Sequence, residues 1–309
     1  MPDIIARATL NESGFIQVKN GRHPVVEKFL TERQFVPNDV TLNQTTDQLW
    51  VITGPNMAGK SVYLRQVALI ILLNQMGSFV PADQAELPIV DKIFVRSGAS
   101  DVISEGLSTF MVEMVETAQI LNQTTVNSLI IMDEIGRGTS TYDGISIAWA
   151  VAEYLVTSKK CSAKTLFATH YHELQELQTK YPDRIKNYHM SVREQDGELN
   201  FLHTIAEGGA SHSFGVAVAK LAGIPEEVIQ RAYEMLHELE NLHGPIKNNK
   251  LEVKQLPLTF DETEKIITKE LNELDIHQMT PLQALNKIAE LKNKIKLIQV
   301  KSGNFMKAD

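Results

Sequence analysis

The run Gly54-Pro55-Asn56-Met57-Ala58-Gly59-Lys60-Ser61 has the residue types and spacing of a triphosphate cradle. It fits G-x-x-x-x-G-K-[ST], the Walker A phosphate loop. A triphosphate has to be held by many donors at once. Glycines let backbone N–H groups close on the phosphates, and the N-terminus of a following helix adds partial positive charge. Lys60 can then reach the outer phosphates, and the Ser61 hydroxyl can ligate Mg²⁺. A second set of residues is Leu129-Ile130-Ile131-Met132-Asp133-Glu134, an apolar run ending in two carboxylates. Open α/β sheets gather ligands at the carboxyl ends of their strands. Asp133 there is placed to hold Mg²⁺, directly or through water, and Glu134 to polarise the water that attacks a γ-phosphate. Without the phosphate loop the same run reads as an ordinary strand ending in a solvated acidic turn.

Three further stretches carry polar chemistry. Ser108-Thr109-Phe110-Met111-Val112-Glu113-Met114 opens a helix with Ser108 at the N-cap, and capping alone accounts for a serine there. Gly136-Arg137-Gly138-Thr139-Ser140-Thr141-Tyr142-Asp143-Gly144 follows the acidic strand end, a density of small and polar residues that suggests a loop held at an interface. Ala168-Thr169-His170 ends another strand and brings His170 to the same sheet edge as Asp133, where sensing a phosphate competes with an incidental role. His170 and His172 stand too close together on a turn, with no cysteine nearby, to favour zinc.

The elements that must position these residues follow from the hydrophobic pattern. Strands are expected at 49–53, 91–95, 129–133 and 164–168, with a hairpin-like pair near 185–193 and 198–205 joined by Asp196-Gly197. Helices are expected near 61–76, 109–122, 142–157 and 171–179. Such alternation implies an α/β unit with a mostly parallel sheet, over residues 1 to about 245. After Gly215 come a short helix, a Gly223-Ile224-Pro225 break and a longer helix, started by Pro225 with Glu226 and Glu227 behind it. That helix carries a stripe of Val228, Ala232, Met235, Leu239 and Leu242, suited to the parent domain or to a partner helix. His243-Gly244-Pro245 breaks it, 246–259 reads as a polar linker, and 260–309 as a small helical tail. In the tail, Thr280 caps a helix with the stripe Leu282, Leu285, Ile288, Leu291, Ile295 and Ile298. Too short to bury much core alone, the tail is expected to pair with another copy.

Composition narrows the class. At 309 residues the chain has room for about two domains. Its 43% apolar and 22% charged content are those of a globular protein. A net charge of −8 argues against a surface that is nucleic-acid footprint throughout. The single cysteine, Cys161, rules out an intramolecular disulfide and suits a reducing, cytosolic setting. The longest apolar stretch, Val67 to Leu73, is too short to span a bilayer, so no membrane partner is expected.

Together these residues resemble the C-terminal ATPase domain of the MutS mismatch-repair family. The likeness runs through Gly21-Arg22-His23-Pro24, 49–66, Ser108 to Glu116, Met132 to Gly144, Phe167 to Leu174 and Gly208 to Ala219. It implies an ABC-type P-loop ATPase fold using ATP and Mg²⁺, in which two subunits complete each other's sites. By position it assigns Gly54, Pro55, Asn56, Met57, Ala58, Gly59, Lys60, Ser61 and Val62 to ATP, with Asn56 beside the γ-phosphate. It puts the metal on Ser61 and Asp133, and catalysis on Glu134, His170, Asn56 and Ser108. Ser108 becomes the signature serine that reaches the partner's γ-phosphate, His170 a switch histidine, and Phe35 and His203 the rings that pack on adenine. The region of about 209–243 becomes a helix-turn-helix-like dimerisation element. A bacterial, cytoplasmic, nucleoid-associated setting and a MutL-type repair partner are also implied.

The tail carries the likeness further. Gln255-Leu256-Pro257-Leu258-Thr259-Phe260 resembles a sliding-clamp-binding peptide whose Leu-Phe pair is interrupted by Thr259, and an ordinary linker reads the same way. Thr280-Pro281-Leu282-Gln283-Ala284-Leu285 resembles the family's oligomerisation helix.

Two departures stand out. Val62 replaces the family's usual Thr, removing a hydroxyl for the α-phosphate and an expected ~1.5–3 kcal/mol of affinity at most. The family's mismatch-reading, connector, lever and clamp domains should precede residue 1, so the expectation is a fragment that reaches mismatched DNA only through domains it lacks. Phe260-Asp261-Glu262 fits the family's mismatch motif but lies in the linker and reads as coincidence. The leading function is therefore the ATP-hydrolysing motor of a mismatch-repair protein. The alternative is a catalytically weak fragment that serves as a dimerisation and clamp-docking module. Other ABC-type motors carry a Leu-Ser-Gly-Gly-type signature, which Ser108-Thr109-Phe110-Met111 is not.

Overall fold

The structure, a computed structural model, describes residues 5–30, 34–98, 108–195, 198–210 and 214–242. The chain divides into two compact units, Met1–Leu236 and His237–Asp309. The linker at 246–259, the Gln255–Phe260 peptide and the tail from 260 lie outside the described residues.

In chain order the elements are β1 (Thr9–Asn11), β2 (Ile16–Gly21), α1 (Pro24–Phe29), β3 (Asn38–Leu42), β4 (Leu49–Thr53), α2 (Lys60–Gln75) and β5 (Gln84–Pro88). There follow β6 (Ile93–Arg96), α3 (Thr109–Gln123), β7 (Leu129–Asp133), α4 (Thr141–Thr157), β8 (Lys164–Ala168) and α5 (Glu176–Lys180). The last are β9 (Ile185–Gln195), β10 (Glu198–Glu207), α6 (Gly215–Leu221) and α7 (Glu226–Leu242).

The main sheet has the order β10-β9-β4-β8-β7-β6, parallel except for the β9–β10 hairpin. Every residue of β4, β7 and β8 is buried, as expected of continuous apolar runs covered on both faces. Alternate residues feed opposite faces. Trp50, Ile52, Leu129, Ile131 and Leu166 pack with Tyr63, Leu64, Val67, Ile70 and Ile71 of α2. Leu49, Val51, Ile130, Met132 and Phe167 pack with Ala148, Val151, Leu155 and Val156 of α4.

A second sheet, in the order β1-β5-β2-β3, is absent from the sequence-based expectations. Its strands are short and carry poor strand formers, such as Asn38 and Asp39 in β3 and Pro88 at the end of β5. Ile16, Val18, Val40, Leu42 and Leu87 join the same core cluster as α2, so this sheet is held by burial rather than by propensity.

The strands expected at 49–53, 129–133 and 164–168 have those bounds, while β6 begins two residues later than expected. The expected helix at 171–179 is instead a 3-10 turn, His172–Gln175, followed by the short α5. The Gln175 carbonyl accepts from Asn187 Nδ2 at 2.8 Å, a tertiary bond where a continuous helix would use its own ladder. At α7, Pro225 O accepts the N–H of Val228 and of Ile229, which starts the helix as its proline and acids suggest. Ile229 is buried, whereas Val228 and Met235 of the expected stripe are exposed.

Helix α4 begins against the loop that precedes it. A Cβ on Gly144 would lie 2.3 Å from Tyr171 Oη and 2.4 Å from Gly136 O. Overpacking of this kind costs about 1–3 kcal/mol, against about 1 kcal/mol gained in helix propensity. Gly144→Ala is therefore expected to lose up to about 2 kcal/mol net, seen as a lower urea midpoint at unchanged slope.

Candidate functional site

The loop from Gly54 to Gly59 turns from β4 into α2 through three left-handed backbone positions, Gly54 (φ 131°), Met57 (φ 70°) and Gly59 (φ 102°). Gly59 is the N-cap of α2 and provides no capping side chain, so the helix's first N–H groups face the loop's concavity. Lys60 is 4% exposed, and its ammonium donates to Gly54 O and, at 3.1 Å, to Pro55 O. Burial is the main influence that brings its pKa down to about 8, partly offset by Glu134 and Asp133. Asn56 and Met57 stand exposed on the rim, and Ser61 is half-buried at the start of α2.

The ends of β7 and β8 meet this loop. Asp133 is 5% exposed, with Oδ1 buried and unpartnered. Burial raises its pKa, with the Ser61 hydroxyl opposing and the Glu134 charge adding to the rise. Glu134 sits one residue beyond the strand in a left-handed conformation (φ 61°), its N–H bonded to Ala168 O at 2.9 Å. Its carboxylate lies against His170 Nε2, pairs with Arg137 Nη1 at 2.5 Å, and stands 4.0 Å from Lys60 Nζ. His170 Nε2 reaches the carboxylate without a well-aligned hydrogen bond. Burial alone would push Glu134 upward, but His170, Arg137 and Lys60 together hold it below the ordinary glutamate range.

The 134–144 loop is fastened from two sides. Gly136 N–H donates to Glu113 Oε1 of α3, and Gly136 O accepts from Tyr171 Oη at 2.7 Å. Ser108 caps α3, its Oγ accepting from Met111 N at 3.2 Å, and is itself exposed.

A cavity of about 490 Å³ opens beside the phosphate loop, lined by Phe35, Met57, Gly59, Val62, Tyr63 and His203, among others. Phe35 and His203, 168 positions apart in sequence, thus face one space. His203 lies in a bulge of β10 with φ 54°, and its Nδ1 is 3.1 Å from Ala58 O. The bulge is held by Asn38, whose Nδ2 donates to His203 O at 2.9 Å and whose Oδ1 accepts from Ile205 N at 2.7 Å.

The sequence pattern of the family described as MutS domain V matches residues 50–240. The chain belongs to the MutS domain V family. It is 54% identical over 288 residues to the DNA mismatch repair protein MutS of Caldicellulosiruptor bescii, covering 91% of this chain and 33% of that protein. The protein of the same name from Dehalococcoides mccartyi (strain CBDB1) is 52% identical over 288 residues, covering 93% and 33%. That from Clostridium tetani is 49% identical over 314 residues, covering 94% and 35%. The chain thus spans about a third of the length of the curated relatives it matches.

In this MutS domain V chain, Lys60, Ser61, Asp133, Glu134 and His170 converge on one sheet edge, while Ser108 stands apart at the tip of α3. Three participants were not singled out from sequence: Arg137 on Glu134, Glu113 on Gly136, and Asn38 on the His203 bulge. Only Glu113 left a signal, since it shares the buried face of α3 with Thr117 and Ile120, where an apolar residue is the ordinary choice.

Asn38 is 6% exposed and satisfies two backbone groups of the bulge. Asn38→Ala would remove both bonds, at about 0.5–1.5 kcal/mol each and so about 1–3 kcal/mol together. The expected outcome is a loss of that size in calorimetric unfolding.

Proposed function

We propose that this chain binds ATP with Mg²⁺ at residues 54–61 and hydrolyses it, as the motor part of a MutS-type mismatch-repair protein. The observation that carries the reading is the meeting of Lys60 and Glu134, 4.0 Å apart, beside the unpartnered Oδ1 of Asp133. A phosphate-loop cation, a metal-grade carboxylate and a water-handling carboxylate then share one edge of the sheet. Hard oxygen donors suit Mg²⁺, which takes one or two carboxylates together with substrate phosphates and water. Asp133 and Ser61 would hold it, and when bound it would neutralise charge on the phosphates.

The chain's own residues divide the remaining work. Backbone N–H groups of the loop and of the α2 N-terminus cradle the phosphates, and Lys60 exchanges its bonds to Gly54 O and Pro55 O for phosphate oxygens. Glu134 is a weak base because its cationic neighbours depress its pKa. Its role is therefore to orient the attacking water, with His170 and Arg137 fixing the carboxylate. Phe35 and His203 take the adenine in the cavity they line, and Asn56 is assigned to the γ-phosphate. Ser108, exposed at the N-terminus of α3, completes the site of a second copy, so the active form is an ABC-type dimer.

In the whole protein this cycle would reach mismatched DNA and a MutL-type partner through other domains, in a cytoplasmic, nucleoid-associated setting. Among the described residues no helix is long and apolar enough to cross a membrane. The dimer would use the 209–243 region, and the tail would add higher assembly and clamp docking through Gln255–Phe260.

Specific ATPase activity is expected to rise with protein concentration as the dimer forms, with Lys60→Ala as blank. Glu134→Ala should keep ATP binding and lose about 10²–10⁴-fold in turnover. Flat activity at the Lys60→Ala level would sink the motor reading, and turnover by Glu134→Ala would remove that residue from the water-orienting role.

Lys60 adds a pH signature. With a pKa of about 8 in the free chain, it is largely neutral at pH 8.5. A neighbouring triphosphate favours the ammonium form and raises that pKa, so binding takes up a proton. Calorimetry at pH 8.5 in buffers of different ionisation enthalpy should read an uptake of roughly three-quarters of a proton, small at pH 7 and absent in Lys60→Met.

A further inference from the structure

We infer that Glu113 is a positioning residue that makes the Ser108 helix and the Glu134 loop one mechanical unit. The inference rests on the roles proposed above for those two residues. Glu113 lies five positions after Ser108 on α3 and is only 4% exposed. One carboxylate oxygen takes the Gly136 N–H, and the other stands 3.4 Å from Arg96 Nη2. Arg96, 3% exposed at the end of β6, pairs in turn with Glu116 on the same helix at 3.0 Å and donates to Ser97 O at 2.6 Å. The carboxylate is thus anchored to the sheet at one oxygen and grips the loop with the other.

The loop has little freedom to move without it. Gly136 has φ 90°, its carbonyl is held by Tyr171, and its Cα side abuts Gly144. Two residues upstream, Glu134 is kept in its left-handed conformation by the bond to Ala168 O. A non-glycine residue in such a backbone conformation persists only where its surroundings over-determine it. A second, independent tie joins the same elements: a Cβ on Gly138 would lie 2.8 Å from Phe110 Cβ, two residues after Ser108. Displacement of α3 at Ser108 is therefore delivered to the peptide that sets Glu134. In a dimer, engagement of one copy's Ser108 by the other's nucleotide would adjust the first copy's own water-orienting carboxylate.

Glu113→Gln tests this with one atom changed. The amide has one acceptor for two donors, so whichever way it turns, an NH₂ group faces either Gly136 N–H or Arg96. With unfolding close to wild type, the variant should lose about 10- to 100-fold in kcat while nucleotide affinity stays within twofold, as a misplaced catalytic group does. Gly138→Ala, which forces the loop from Phe110 without disturbing the buried charges, should give the same split. Amide exchange at Gly136 should quicken at least tenfold in Glu113→Gln, confined to 134–140 and the first turn of α3. Unchanged kcat in a folded Glu113→Gln chain overturns the inference, as does a fall in kcat matched by a fall in affinity. A wild-type chain without turnover would instead remove the motor reading. Exchange at Gly136 then decides alone, with protection unchanged in Glu113→Gln counting against the coupling and local loss supporting it.

Discussion

The site is organised around one carboxylate that burial alone would discourage. Glu134 is 14% exposed and faces Lys60, His170 and Arg137. These partners are not equal. Arg137 is 55% exposed, so solvent screens its share. The Lys60 side chain is 3% exposed, and its attraction acts through protein rather than water. The two buried charges need each other: Lys60 is pulled toward neutrality by burial, and Glu134 and Asp133 oppose that pull. Removing either side would leave the other less fully compensated, which couples the phosphate loop to the acidic strand end.

Adjacent carboxylates are driven to different behaviour by their surroundings. Asp133 is the last residue of β7, where burial dominates, and its pKa rises. Glu134, turned by its positive φ toward the cations, falls below its ordinary range. Neighbouring groups pushed apart in this way have separate tasks. Here the partition is in keeping with the proposed split between a hard-cation ligand and a water-orienting group.

The second sheet contributes through geometry rather than charge. Its strand β3 carries Asn38, which reaches 165 positions along the chain to the carbonyl of His203. That contact shapes one wall of the 490 Å³ cavity, whose other walls include the phosphate loop, α1, α2 and β9. Because α2 shares a core cluster with this sheet, the cavity and the phosphate loop are set by the same packing.

Much of this was legible in the residues. The phosphate loop, the acidic strand end, the buried strands β4, β7 and β8, and the capped helices announce themselves through local pattern: fixed spacing, unbroken apolar runs and cap residues. Their signals are confined to a few consecutive positions, so no knowledge of the rest of the chain is needed to read them. The four-stranded sheet was not legible, since its short strands draw their stability from α2 rather than from their own composition. Nor were the 3-10 turn at His172, the grip of Arg137 on Glu134, or the bonds of Glu113 and Asn38. Most of these are polar contacts between segments far apart in sequence, and a polar residue looks the same in sequence whether water or a distant backbone group satisfies it. The sequence alone determined which chemistry the chain carries; tertiary structure decided which side chains hold that chemistry in place, because only folding brings distant donors and acceptors within reach.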